Sequence, residues 1–511
     1  MKYLWLAVLA LVLAGYGHSQ DFGFGGYDSE DDTTPGTAAP SVPAPGSSSK
    51  LGLSFKMGGE IALEMTPYVH DFKMKNGQKI SFWDMSSVKL NFTLSGSNVY
   101  AYTAFNLNYA AFYELWKSSL KLSDTPMLID EAFLRAYIGP VNVEAGFRKL
   151  TWGRADSLGP LDVTNPLDYS DLRNISDLKS IKIARPMLHL TWNAGVFSKL
   201  EAVFIPNFAG HRFAQEGRWA SSQYSAIADK IPAGFMARAY EVFPPAFAMG
   251  LPALGPLLAS GLSHFSDFSK LFPDTSSLSY FQTGLRYTTT IGPVDIGGQY
   301  YYGNLFLPDF AIKGVDAFWG NVLSQLPGTP IPNFDLLNPQ INYNRYHQIG
   351  IDYAQVVFGF NLRAEFAVNL TEDLSGKNGS VRNPFLAWSF GFDRELPWGI
   401  YLNLQCNETI RLMNKKVKNN PAMDCEAGTD VTSTRVTLQI SKKFLRDNLE
   451  SKVTAIWDIE NTGFYIIPAV TWTMGGLGTE LSSGIFTGKK NGELGQYWRN
   501  TFIRVGIKYS F

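Results

Sequence analysis

Apolar side chains recur at every second position in one segment after another of this chain. VKLNFTL from Val88, EAFLRAYI from Glu131, LHLTW from Leu188, FNLRAEFAV from Phe360, LAWSFGF from Leu386 and RVTLQI from Arg435 all follow this pattern. A strand's side-chain period is two, so each segment predicts a strand with one apolar and one polar face. The chain closes on NTFIRVGIKYSF, where Ile503, Val505, Ile507, Tyr509 and Phe511 share a face opposite Arg504, Lys508 and Ser510. A strand that runs to the last residue needs partners along both edges to stay ordered, and a closed sheet supplies them.

Eighteen such segments can be counted from Leu51 onward. Short connections at 95–98, 138–140, 193–196, 291–293, 395–399 and 445–448 alternate with mostly longer ones, the ENTG at Glu460 being the shortest on the long side. Residues 51–511 are therefore expected to form an all-β fold, a transmembrane antiparallel β-barrel of about eighteen strands with long, partly helical outer loops. A soluble sandwich of this size would have to hide many outward Phe, Trp, Leu and Ile side chains elsewhere.

Composition agrees. Aromatic residues make up 14% of the chain and charged residues 17%. After the first nineteen residues no apolar run approaches the roughly 18 residues of a membrane helix. Residues 1–19, with Lys2, an apolar stretch from Tyr3 to Ala14 and small residues at Gly17 and Ser19, read as a cleaved signal peptide. Residues 20–50, rich in Pro, Ser, Ala and Gly, read as a disordered periplasmic linker. Of 44 basic residues one is Lys2, which leaves 43 against 45 acidic ones after cleavage. That balance gives no field to attract nucleic acid.

Assigning the apolar set to lipid turns the intervening residues toward the lumen. The lumen then holds Lys56, Lys89, Arg135, Arg148, Arg185, Lys199, Arg286, Arg363, Arg435, Lys452, Arg504 and Lys508. Against them stand Glu60, Glu64, Glu131, Glu144, Glu201, Asp295, Asp352, Glu365, Asp393, Asp458 and Glu480. The two sets nearly cancel, which argues against strong ion selectivity and leaves the loops to shape the constriction. Glu131 and Arg135 should face Glu144 and Arg148 across the Gly139-Pro140 turn, either to stiffen the wall or to guide solute.

The block DEAFLRAYIGPVNVEAGFRKLTWGRADSLGPLDVTNPLDY, residues 130–169, carries the most specific pattern: Gly146, Arg148, Trp152, Gly153, Asp156, Asp162, Asn165, Pro166 and Asp168. It resembles the gram-negative outer-membrane barrels related to alginate-export porins. The HQIGIDYAQVVFGFNLRAEFAVN hairpin from His347 and the closing GIKYSF agree with that resemblance, which implies a transport role. The resemblance also implies that Tyr509 and Phe511 form the C-terminal signal read by the barrel-assembly machinery. An alginate exporter's lumen is strongly basic; the balanced charge here argues against an acidic polysaccharide. Independently of the resemblance, a loop dense in Asp, Asn, Pro and Gly can fold on its own side-chain-to-backbone bonds. It is a candidate inward constriction loop bordered by Arg148, Arg154, Asp156, Asp162 and Asp168, the alternative being a rigid outer loop.

The connections 206–280 and 303–342 are long and apolar, with FPPAFAMGLPALGPLLASGL from Phe243 and LFLPDFAIKGVDAFWGNVL from Leu305. They are expected to pack against each other or into the mouth as a partial plug with short helices. Cys406 and Cys425, the only cysteines of an exported chain, are candidates for one disulfide, with two free thiols as the alternative. No HExxH, CxxC, GxSxG or phosphate-cradling loop occurs, so neither catalytic residues, a metal nor a cofactor is expected. The reading is an outer-membrane channel in contact with outer-membrane lipid, passing small-molecule or oligosaccharide solutes. Its pore residues are Glu131, Arg135, Glu144, Arg148, Arg154, Asp156, Asp162, Asn165, Asp168, Arg185, Arg363 and Glu365. The alternatives are a transporter of hydrophobic molecules and an adhesin built on a barrel scaffold.

Overall fold

The computed structural model describes residues 52–70, 85–108, 128–214, 217–243, 272–326, 328, 330–414 and 419–511. The leader 1–19, the linker 20–50 and all of the FPPAFAMGLPALGPLLASGL run except Phe243 lie outside the described residues.

Eighteen antiparallel strands form one sheet in which each strand pairs with its neighbours in sequence and the last pairs with the first. They are β1 (Ser54–Met65), β2 (Ser87–Ser95), β3 (Val99–Asn108), β4 (Ile129–Ile138), β5 (Val141–Arg148) and β6 (Arg185–Asn193). Next come β7 (Ser198–Ile205), β8 (Gln282–Ile291), β9 (Val294–Asn304), β10 (Arg345–Val357), β11 (Phe360–Thr371) and β12 (Phe385–Leu396). The ring is completed by β13 (Ile400–Arg411), β14 (Thr432–Phe444), β15 (Leu449–Asp458), β16 (Gly463–Met474), β17 (Leu477–Thr487) and β18 (Phe502–Ser510). The count, the antiparallel pairing and the alternation of short and long connections are those expected from the hydrophobic pattern.

Closure is made by the register Glu60↔Ser510 through Met65↔Val505. It ends in a reciprocal pair: Gly59 N–H donates to Phe511 O at 2.9 Å and Phe511 N–H to Gly59 O at 3.0 Å. Tyr509 and Phe511 stack on the outer face with ring centroids 6.3 Å apart.

Alternation sorts the two faces sharply. On β10, Ile351 is 60% exposed on the outside while its neighbour Asp352 is 3% exposed within. Trp192, Phe204, Tyr300, Phe366 and Phe390 also point outward. A continuous apolar exterior around a ring with no free edge is the surface of a barrel that spans a bilayer, where every backbone polar group must find its partner inside the sheet.

The two apolar connections do pack together. Helix α1 (Ser222–Val242) lies on helix α2 (Val315–Ser324) through Phe235, Phe318 and Trp319, all fully buried. Trp319 Nε1–H donates to Phe235 O at 3.0 Å, so the indole's polar end is satisfied within the apolar cluster. Burial of side chains of this size contributes roughly 1.5–3 kcal/mol each. Helix α1, with 21 residues, is longer than the short helices expected. A small hairpin, Asp309–Lys313 with Asn338–Asn342, precedes and follows α2. It is tied to neighbouring loops by Ile312 N–H to Ala422 O and by the Arg382–Asp309 ion pair.

The disulfide expectation is overturned, because Cys406 and Cys425 are both free. Gln405 and Asn407 make their contacts inside the barrel, so the intervening Cys406 points outward by the period of the strand. Cys425 lies in the connection after β13, among Asp309, Arg382 and Glu426, where burial raises its thiol pKa above the usual range. The wall separates the two sulfurs. Protein denatured without reductant should therefore take up two maleimides per chain; an uptake of none would restore the disulfide.

Candidate functional site

The connection from Lys149 to Ala184 folds into the barrel in two lobes, and a single asparagine pins its base. Asn165 Oδ1 accepts Leu150 N–H at 2.8 Å, while its Nδ2 donates to Arg148 O at 2.9 Å and Ile183 O at 3.0 Å. The motif glycines have local reasons. Gly146 has φ +141° and a Cβ there would collide with Ala132 O. Gly153 has φ +96° and a Cβ there would collide with the Glu365 carboxylate. Trp152, 2% exposed, wedges edge-on against Tyr301 and anchors the first lobe to the wall.

The first lobe, residues 153–161, runs along the inside of β9 to β13. Its chief anchor is Glu365 on β11. That carboxylate accepts the backbone N–H groups of Arg154, of Ala155 at 2.7 Å and of Leu161 at 3.2 Å. Amides extend the attachment. Gln405 Oε1 accepts the N–H of Asp156 at 2.8 Å and of Ser157 at 3.0 Å. Asn407 Nδ2 donates to Leu158 O at 2.7 Å, Gln348 Nε2 to Pro160 O at 3.0 Å and Gln299 Nε2 to Leu161 O at 2.9 Å. Five N–H and three C=O groups of the lobe are satisfied from the wall in this way.

Two side chains of the lobe enter ion-pair networks. Arg154 Nε lies 2.7 Å from Asp352, which Arg286 approaches at 2.8 Å from the other side, and Arg154 Nη1 lies 3.5 Å from Asp295. Asp156 accepts from Arg363 and from Asn403 at 2.7 Å, and Arg363 is also 2.6 Å from Asp393.

The second lobe caps its own turns. Asp171 accepts Arg173 N–H at 2.9 Å at the start of the Leu172–Asn174 turn, and Asp177 accepts Ser180 N–H at 3.1 Å before the short helix Leu178–Ile181. Leu172 buries itself among Tyr465, Phe486 and Phe502 on β16 to β18. Arg504 donates to Asn174 Oδ1 at 2.8 Å. The two lobes thus reach separate parts of the wall, on either side of β14 and β15, and narrow the lumen.

The remaining predicted pore residues divide. Arg135 and Arg148 flank Glu144, the latter at 3.2 Å, and His189 bridges Glu144 at 3.2 Å to Glu201 at 3.3 Å. This lumen-facing ladder passes from β4 to β7 and includes the facing pair foreseen across the Gly139-Pro140 turn. Arg185 donates to Asn207. Glu131 accepts Lys149 N–H at 2.8 Å, Asp162 is buried against Lys182 at 2.7 Å, and Asp168 holds Arg212 at 2.9 Å together with its own Ser170 turn. Glu131, Asp162, Asn165 and Asp168 therefore build the loop, whereas Arg154, Asp156, Arg363 and Glu365 meet at its inner tip. A charge-based list passed over Gln299, Gln348, Asn403, Gln405 and Asn407. The alternating amides of NLQCN at 403–407 were the signal in the sequence.

Beside the lobes runs a cavity of about 3400 Å³. Lys443, Asp447 and Glu450 line it near the short turns, and Asp430, Glu460 and Asn491 line it near the long loops. Between them it passes Thr437, Gln439, Lys452 and Thr454 on β14 and β15, opposite Asp156, Ser157 and Leu158. Lys452 makes no ion pair among the described residues.

No protein-family model matches the chain, and no curated protein matches it. Among solved structures it is similar to the outer membrane channel DcaP of Acinetobacter baumannii, at 9% identity over 92% of this chain and 100% of that one, with a TM-score of 0.39. It is also similar to OccAB4 of the same organism (8%, 90% and 98%, TM-score 0.44) and to Pseudomonas aeruginosa OpdK solved with vanillate (10%, 89% and 98%, TM-score 0.41). The barrel assignment rests on the chain's own pairing and faces.

Glu365→Ala leaves three backbone donors of the lobe without their acceptor. A loss of about 2 kcal/mol, about thirtyfold in the opening equilibrium, is expected, read as faster proteolysis within 153–161 with the barrel intact. At the outer mouth His211 Nδ1 accepts Leu167 N–H at 2.9 Å, and burial lowers its pKa to about 4. A lowered pKa favours the neutral ring, so this contact stabilises the loop fully above the ordinary value near 6.5 and is lost as pH falls through about 4. The protection of the Leu167 amide against hydrogen exchange, relative to the unprotected rate at the same pH, should fall over that window in the native chain and be low at neutral pH in His211→Ala.

Proposed function

We propose that this protein is an outer-membrane channel through which small or oligomeric polar solutes pass passively or by facilitated diffusion. The observation that carries this reading is the cavity beside the inward loop, which carries polar side chains along its course from the turn end to the loop end of the barrel. A wall that includes hydroxyls, amides and lysines without an ion pair among the described residues, Lys443 and Lys452, offers several weak contacts and no deep trap, the condition for solute to enter and to leave. The even strand number, the paired termini and the short-turn/long-loop polarity favour the outer membrane, with the short turns toward the periplasm.

The resemblance of residues 130–169 to alginate-export porins contributes the transport class. Its polyanionic cargo is not carried over, because Arg154, Arg286 and Arg363 are all occupied by carboxylates. In the proposed setting the partners are outer-membrane lipid, the solute, and a barrel-assembly machinery that reads Tyr509 and Phe511. No enzymatic role is proposed. Among the described residues Ile231, Phe235 and Ala239 of α1 pack with Phe318, Trp319 and Val322 of α2 in one buried cluster, which tells against a greasy entrance for hydrophobic molecules there. The long cavity tells against a filled barrel serving only as an adhesin's scaffold.

Refolded protein in a planar bilayer should give steady single-channel steps with weak ion selectivity. Replacing residues 153–161 by a short glycine linker should raise the conductance at least about twofold, as expected if the lobe is the aperture. Lys452→Glu should move the reversal potential in a salt gradient toward cations. Folded barrel with no conductance would overturn the proposal.

A further inference from the structure

The outer face of the barrel has a depression between β14 and β18, a groove of about 550 Å³ among Ile440, Val453, Pro468, Val470, Leu481 and Ile503. Its floor is low because the outward positions there include Ser451, Pro468 and Ser483, where other parts of the exterior hold Trp or Phe. Pro468 has no N–H to give to a ladder, and the β16–β17 register is interrupted between Ile466 and Ala469. Ser483 does not make the floor polar, since its hydroxyl donates to Phe502 O at 2.7 Å.

The groove crosses four strand spacings of about 4.8 Å, hence about 19 Å. Because barrel strands are tilted, a row that crosses them climbs through the bilayer. That length is close to the roughly 15 Å depth of one leaflet. At its foot, three residues before the 445–448 turn, Lys442 points outward with its Nζ 5.2 Å from the Phe444 ring centroid. Among the described residues Lys442 has no carboxylate partner. An apolar channel of one acyl chain's length that starts at an interfacial cation matches the two parts of a phospholipid.

We infer that this groove is a binding site for a glycerophospholipid of the periplasmic leaflet, one acyl chain lying over Pro468 and Ser483 and the phosphate held by Lys442. The inference requires a membrane-spanning barrel with its short turns in the periplasm, and it is independent of what passes through the lumen.

The test is native mass spectrometry of the full chain released from nanodiscs containing phosphatidylglycerol. The wild-type barrel should retain one lipid. Lys442→Gln should weaken retention about fivefold, the worth of one interfacial lysine. The double variant Ser451→Leu with Ser483→Leu, which fills the floor, should abolish it. Heat-modifiable gel migration reports folding for each variant, and Lys442→Gln, a change at the surface, keeps the test decisive if the double variant does not fold. No retained lipid, or equal retention by wild type and Lys442→Gln, would overturn the inference. A shift from oligomer to monomer with lipid retention unchanged would also overturn it, by assigning the groove to a second copy of the chain.

Discussion

Everything in this protein depends on the joining of its first strand to its last. In a hydrocarbon surrounding, one unpaired strand edge exposes a row of N–H and C=O groups, each at a cost of several kcal/mol. The reciprocal hydrogen bonds of Gly59 with Phe511 finish a ladder that leaves no such row. Closure also sets parity. A slip of β18 by one residue against β1 would turn Arg504 and Lys508 out into lipid and Ile507 inward. As built, the ring places Glu64 within 3.6 Å of Arg504 and 3.8 Å of Lys508 inside the wall.

Inside this ring the inward loop meets a different demand. Its peptide groups leave bulk water and need partners, and the wall supplies them from Glu365 and a band of amides. A carboxylate that accepts several backbone N–H groups fixes position as well as charge, since its lone pairs fit one arrangement of the chain. The ion pairs around Arg154 and Asp156 add direction to that clamp. Arg154 and Arg286 meet Asp352 and Asp295, while Arg363 alone serves Asp156 and Asp393, so charge of each sign is held close to its opposite in a lumen rich in both.

Strand number, faces and turn polarity were legible because they follow from a period of two repeated many times, and errors in one segment are corrected by the next. The inward course of residues 153–161 was legible in outline from their turn-forming composition. Its anchors were not, because Gln299, Gln348 and Gln405 lie far from the loop in sequence and are uncharged. The same composition also put Asp162 and Asp168 at the border of the narrowing, whereas their geometry makes them braces of the loop's base. The cysteine pairing failed for a related reason: two residues close in sequence were separated by the wall, and only the parity of Cys406 against Gln405 and Asn407 reveals it.

The division of labour between amides and free lysine has a consequence for a cell in changing salinity. Ionic atmosphere screens exposed charges over about 10 Å at 0.1 M salt, and over less as salt rises. Neutral amide bonds and a carboxylate seated on peptide N–H groups inside the wall are largely beyond its reach. In the proposed channel the aperture therefore keeps its dimensions from fresh water to brine. The field of Lys452, open to the passage, fades. In such a channel, size and charge discrimination are set by separate chemistry, and only the second follows the environment.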